Sequence, residues 1–298
     1  MTNTTVVKIG GRAAAEEETV LELAREIREL EKGALPGAGG RLGSAAGSHR
    51  PTAGSHRPAA GSHRPTAGSH RPATRHLLVH GGGNELSTLM ERYGYTPTFR
   101  DGIRQTREEE MPLVDMALAG RMNTLMVRLF GRVGLNPVGL SAQDGGMVVG
   151  RPVVMADGTA SRTGSVAGAD GTLLTRLLEA GFTPVVSPVS RDETWRGLNI
   201  NADEIALAVA EAIEARGLIF ISDIPGILDG NRVIERLTAA EAEKAIASGT
   251  ISGGMIPKVR SSLAALKRGV GSITIGEYRE PGDLGALSRG KKGTVLIL

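Results

Sequence analysis

Short apolar runs alternate with segments of helical periodicity along most of this chain, and that alternation leaves few folds open. Strands are predicted at Thr5–Ile9, His76–Val79, Pro137–Leu140, Thr183–Val186, Leu218–Ile221, Ser272–Ile275 and Val295–Leu298. Between them, helices are predicted at Glu16–Lys32, Asn84–Tyr93, Met111–Phe130, Thr172–Ala180, Ala202–Ala215, Ala239–Ala247 and Ile256–Lys267. In the first of these, Val20, Leu23, Ala24, Ile27 and Leu30 repeat at helical spacing. Met147–Met155 is β-rich, and Asp157-Gly158 reads as a hairpin turn. Strands that are apolar throughout must be covered on both faces, so the pattern predicts an α/β fold: an αβα sandwich around a mainly parallel sheet. Ligands in such folds sit beyond the carboxyl ends of the strands. That directs attention to Lys8–Gly11, His80–Gly83 and Ser222–Asp223.

One region breaks the pattern. Four seven-residue units begin at Gly47, Gly54, Gly61 and Gly68, each starting Gly-Ser-His-Arg-Pro. A period of seven suggests a coiled coil, but each unit carries Gly and Pro and no large apolar residue, so no buried seam can form. Residues 33–74 are therefore read as a flexible surface insertion, unable to offset the entropy of ordering itself. Its histidines His49, His56, His63 and His70 would make a poor preformed metal site. The repeat also carries the chain's basic character. Removing Arg50, Arg57, Arg64 and Arg71 takes the formal net charge from +3 to −1, so no nucleic-acid partner follows from charge. Aromatics at 3% leave little for base stacking. The absence of cysteine excludes disulfides and thiolate metal sites. No apolar run has the length of a membrane helix and no leader pattern follows Met1, so a cytoplasmic protein is expected.

Taken singly, the polar motifs are ambiguous. Lys8, inside an apolar strand, by itself reads as an edge lysine reaching water; the following Gly10-Gly11 shift that reading, because they would let a ligand approach the backbone. Gly81, Gly82 and Gly83 after His80 expose amides where a helix begins, which suits an anion and also suits a plain tight turn. An esterase oxyanion turn would need a Gly-x-Ser-x-Gly elbow, which the chain lacks. Arg100 and Arg104, expected on a loop, suit a carboxylate or a solvated pair. Asn201 reads as an N-cap, with Asp203 in the first helical turn after it. No histidine other than His80 stands near this chemistry, and His80 is read as structural.

Together and in order, these pieces resemble the amino acid kinase family. The resemblance rests on Val7-Lys8-Ile9-Gly10-Gly11, His80-Gly81-Gly82-Gly83, Phe99-x-x-Gly102-x-Arg104-x-Thr106, Val138-Gly139-Leu140-Ser141-x-x-Asp144-Gly145, Leu198-Asn199-Ile200-Asn201-Ala202-Asp203, Ser222-Asp223-Ile224-Pro225-Gly226-Ile227-Leu228-Asp229 and Gly253-Gly254-Met255-Ile256-Pro257-Lys258. It implies a single two-lobed domain over 1–298, with an N-terminal lobe (1–190) for the acyl amino acid and the dimer interface, and a C-terminal lobe (191–298) for ATP. It implies catalytic roles for Lys8, Lys258 and Asp203, the aspartate orienting both lysines. Gly81, Gly82, Gly83, Arg104 and Asn199 are implied to hold substrate. Gly10, Gly11, Ser222, Asp223, Gly226, Ile227, Leu228, Gly253, Gly254 and Met255 are implied to hold the nucleotide.

The implied reaction is phosphoryl transfer from ATP with Mg²⁺ to the side-chain carboxylate of N-acetyl-L-glutamate, in arginine biosynthesis, with no tightly bound cofactor or resident metal. Ala142 stands where the family usually has glycine, a small departure. The first strand begins close to Met1, whereas arginine-inhibited members carry an extra N-terminal helix. The resemblance therefore implies an arginine-insensitive homodimer, with Met111–Phe130 as interface helix. A kinase of carrier-bound aminoadipate or glutamate in lysine biosynthesis and a non-catalytic amino-acid sensor are the alternatives.

Overall fold

The computed structural model describes residues 2–33, 74–100, 102–154 and 160–298. The expected insertion, apart from its ends, and the Asp157-Gly158 turn lie outside the described residues. An eight-stranded sheet organises the rest. From one edge its strands are Arg236–Thr238, Thr294–Ile297, Ile273–Gly276, Ala215–Ile221, Thr2–Ile9, Arg75–His80, Thr183–Ser187 and Pro137–Ser141. Every neighbouring pair is parallel except Ile273–Gly276 with Thr294–Ile297. The predicted fold class is borne out.

Side-chain alternation in the central strand divides the core. Val6 joins one buried cluster, with Val79, Phe220, Ile205 and Val259, and Val7 and Ile9 join the other, with Leu78, Ile27 and Phe130. Lys8 shares the face of Val6, because alternate residues of a strand point the same way. On that face pack the helices Ala202–Ala212 and Met255–Lys267; on the opposite one, Glu17–Glu31 and Asn123–Arg132. Among the described residues no helix is long and apolar enough to cross a membrane.

Three elements differ from expectation. The alanine-rich run predicted as a helix to Ala215 stops at Ala212, and Ala215 opens the next strand. Propensity favours continuation, but Thr2 N–H takes the Glu214 carbonyl (2.9 Å) and Gly271 N–H takes that of Ala215 (3.0 Å), so sheet pairing wins. The expected loop holding Arg104 is a β-hairpin, Thr98–Arg100 with Ile103–Gln105, in which Phe99 faces Arg104. The long helix from Met111 contains a π-helical stretch at Asp115–Met122 before resuming at Asn123–Arg132. The β-rich run Met147–Met155 is the strand Val148–Val154, and it belongs to a small closed sheet whose other strands, Ala160–Ala169, Val189–Arg191 and Gly197–Ile200, the sequence does not announce. Ala160–Ala169 (ASRTGSVAGA) has no apolar alternation to betray it.

His80 ends its strand fully buried, with burial holding its pKa down at about 4 despite a hydrogen bond to Gly81. The Gly81 carbonyl, 2.7 Å from Nδ1, can only accept, so Nδ1 carries the proton. Nε2 is then a bare acceptor, 3.1 Å from Asn123 Nδ2, which also donates to the Val185 carbonyl at 2.9 Å. An unfolded histidine titrates near pH 6.5, roughly. Between that pH and about 4 the unfolded chain binds a proton that the folded chain refuses, so stability falls as pH drops through this window and levels off below it. Nitrogen-15 NMR of labelled histidine is expected to find His80 neutral and Nδ1-protonated at pH 5.5. Protonation near the ordinary value would contradict this network.

Candidate active site

The strand ends bring the charged motifs together. Lys8 Nζ lies 2.8 Å from Asp203 Oδ1, and Lys258 Nζ lies 3.0 Å from Asp203 Oδ2. Asp203 stands in the first turn of the helix Ala202–Ala212, where a carboxylate complements the helix dipole. Asn201 caps that helix as predicted, its Oδ1 accepting from Asp203 N–H at 2.8 Å. Burial pushes the Asp203 carboxyl up, but the ammonium groups of Lys8 and Lys258 outweigh it and hold the pKa below the usual value. For Lys258, burial lowers the pKa, Asp203 opposes that, and Lys8 adds to it. One carboxylate thus joins two cations, from the first strand and from the first turn of Met255–Lys267.

Glycines are needed here by geometry. A Cβ on Gly10 would fall 2.2 Å from Lys8 Nζ, so the ammonium lies directly over that bare backbone. Gly11, at φ +57°, sits beneath the Asp223 carboxylate, and a Cβ there would meet Asp223 Oδ2 at 2.3 Å. The two glycine turns abut: Gly81 N–H donates to the Ile9 carbonyl at 3.0 Å, and its Cβ position is 3.9 Å from Gly10 Cα. Gly82 has φ +150°, and a Cβ there would strike Leu118 and Met122 of the π-helical stretch. The helix Gly83–Arg92 then begins with no side-chain cap, leaving first-turn amides for an anion.

The expected substrate residues form a second group around the hairpin. Arg104 donates to the Gly83 carbonyl (3.0 Å) and Ser87 Oγ (2.7 Å), with its guanidinium 4.7 Å from the Phe99 ring centroid. Asn199 Nδ2 donates to Thr106 Oγ1 at 3.0 Å. Thr106 N–H donates to Thr163 Oγ1 (2.8 Å), whose hydroxyl donates to the Arg104 carbonyl (2.8 Å). Thr106 is fully buried at the centre of this network. The sequence showed Thr106 as a motif letter without a role and gave no sign of Thr163. Asn199 and Asp203 are joined through the N-cap, because the strand Gly197–Ile200 runs straight into the helix Ala202–Ala212.

The expected nucleotide residues divide. Gly253 and Gly254 have open space at their Cβ positions, and Gly254 precedes Met255–Lys267 with no side-chain cap. This uncapped helix start beside the Lys258 ammonium suits a polyphosphate. Ser222 and Asp223 follow the strand Ala215–Ile221, the Ser222 N–H donating to the Gly276 carbonyl at 2.8 Å. Gly226 is packed against Val233 and Thr294, and Leu228 pairs with Val233 in a short exposed ribbon. Ile227 is buried, its N–H donates to Thr294 Oγ1 (2.8 Å), and its carbonyl accepts from Ile234 N–H (2.8 Å). These two bonds anchor the segment.

A parallel sheet whose strand ends carry two glycine turns and a carboxylate-bridged lysine pair defines a phosphoryl-transfer class, and sequence comparison agrees. The sequence pattern of the amino acid kinase family matches residues 67–277. The chain is 43% identical over 200 residues to the acetylglutamate kinase of Chloroflexus aurantiacus, spanning 67% of this chain and 79% of that one. It is 39% identical over 199 residues to that of Geobacillus kaustophilus, at 67% and 76% coverage. The chain belongs to the amino acid kinase family. Among solved structures, the N-acetylglutamate synthase of Neisseria gonorrhoeae complexed with coenzyme A and N-acetyl-glutamate superposes with a TM-score of 0.74 at 22% identity, over 100% of this chain and 60% of that one. The carbamate kinase of Giardia superposes at 0.64 and 14% identity, over 99% of each. These two share the fold.

Gly10→Ala provides a selective probe. The atoms nearest to that methyl group all belong to the far end of the flexible Lys8 side chain, so the fold can absorb it while the ammonium is displaced. Turnover is expected to fall at least about tenfold, with a thermal midpoint close to that of the parent. A large loss of thermal stability, or unchanged turnover, would show that Lys8 does not rest on this glycine.

Proposed function

We propose that this protein transfers the γ-phosphoryl group of ATP to the side-chain carboxylate of N-acetyl-L-glutamate, forming an acyl phosphate in arginine biosynthesis. The Lys8–Asp203–Lys258 bridge carries this reading, and the two acetylglutamate kinases support the choice of acceptor.

Attacking carboxylate and triphosphate are both anionic, so the barrier includes their mutual repulsion. Lys8 and Lys258 offset it from fixed positions, as do the uncapped amides at Gly83 and Met255, and preorganised charge of this kind is usually the largest catalytic contribution. A carboxylate is already ionised at neutral pH and needs no general base. His80, neutral and committed on both nitrogens, supplies none. In this account Arg104 pairs with the α-carboxylate, Asn199 also contacts the substrate, and Gly81–Gly83 meet the reacting oxygens. The nucleotide lies over 222–228 and 253–255 with its phosphates toward Lys258, and Mg²⁺ enters with it as part of the substrate.

Residues 1–190 then form the acyl-amino-acid lobe and 191–298 the ATP lobe. The protein acts in the cytoplasm as a homodimer, with the helical segment from Met111 as interface.

Hydroxylamine trapping tests the reaction. ATP-dependent hydroxamate is expected with N-acetyl-L-glutamate, and far less with glutamate or aminoadipate. No product from any acceptor would overturn the enzymatic reading; preference for aminoadipate would overturn the substrate. Lys8→Ala is expected to lower kcat by a factor on the order of 100 with little change in KM, the signature of a contact made in the transition state.

A further inference from the structure

Lys258 has a second partner that the phosphoryl-transfer reading leaves unused. Its ammonium lies 4.6 Å from the centroid of the Phe220 ring. Phe220 is fully buried in the strand Ala215–Ile221, in register beside Lys8 on the first strand. The charges acting on Lys258 are Asp203, from the helix Ala202–Ala212, and Lys8. Asp203 is shared, so one negative charge serves two largely buried ammonium groups and a net positive charge remains. A second carboxylate would remove that charge, but it would also repel an incoming polyphosphate. An aromatic face stabilises a cation through its quadrupole while carrying no charge. The chain has four phenylalanines, and two of them, Phe220 and Phe99, lie against cations of the site, Lys258 and Arg104.

We propose that Phe220 is a positioning residue for phosphoryl transfer, its ring face keeping the Lys258 ammonium charged and fixed toward the nucleotide while Asp203 is divided between the two lysines. This role rests on the reading of Lys258 as the cation that meets the ATP phosphates.

The test replaces Phe220 in the full chain, by site-specific incorporation, with 4-fluoro-, 3,5-difluoro- and 3,4,5-trifluorophenylalanine. These withdraw charge from the ring face with little change of shape. The hydroxamate assay is expected to show kcat falling stepwise, to about one-tenth for the trifluoro ring, with KM for the acyl amino acid unchanged. The alkaline limb of the kcat–pH profile should move to lower pH along the series, as Lys258 gives up its proton more easily. Phe220→Leu should fall near the trifluoro value. Flat kcat and an unmoved alkaline limb in an active protein would overturn the role of Phe220 and leave the reaction standing. A parent protein without turnover would overturn the reaction instead. The ring contact is then read from Lys258 itself by nitrogen-15 NMR of labelled lysine. A titration that moves to lower pH with each fluorine upholds the contact, and one that stays fixed refutes it.

Discussion

One carboxylate holding two buried ammonium groups is the interaction on which the rest of this site depends. Without Asp203, Lys8 and Lys258 would face each other as like charges in a medium that screens poorly, and burying unpaired charge is costly. With it, both are held within 3.0 Å of one side chain. The trio of Lys8, Asp203 and Lys258 is incomplete in itself, with one more positive charge than negative. A phosphoryl group in transit would complete it.

The fold makes that junction possible. The strand Thr2–Ile9 sits at the centre of the sheet, between Arg75–His80 and Ala215–Ile221, so three strand ends deliver Lys8, the His80–Gly83 turn and Ser222–Asp223 to one edge. Two helices on one face then bring Asp203 and Lys258 over Lys8. The opposite face fixes the glycine turn: His80 and Asn123 lock its backbone, while Leu118 and Met122 leave no room for a side chain at Gly82. A π-helical stretch at that place is consistent with the tendency of such irregularities to accompany functional sites.

Much of this was legible in the sequence, because it depends on local rules. Apolar strands, helical periodicity, the Asn201 cap and glycines at strand ends each write their signal within a few residues. The small closed sheet did not, since its central strand Ala160–Ala169 is small and polar and is held by pairing with segments far along the chain. The end of the helix at Ala212 was missed for the same reason: distant partners Thr2 and Gly271 claim the backbone. In the site, charged residues were visible as motif letters, whereas their supports were not. Thr163 and Phe220 carry no polar motif, and Thr106 shows its place only when the hairpin, Asn199 and the strand Ala160–Ala169 are brought together. Ile227 is a motif residue whose burial and whose bond to Thr294 could not be read from its neighbours in sequence.

The central claim is that Asp203 acts by organising two lysines rather than by touching substrate. Asp203→Asn keeps the shape and the backbone N–H that Asn201 caps, and removes only the charge. Steady-state kinetics of this variant, with both substrates varied, test the claim most directly. The account predicts a fall in kcat by a factor on the order of 100, with a folded protein and little change in KM for the acyl amino acid. Near-parental kcat, or a loss confined to KM, would contradict it.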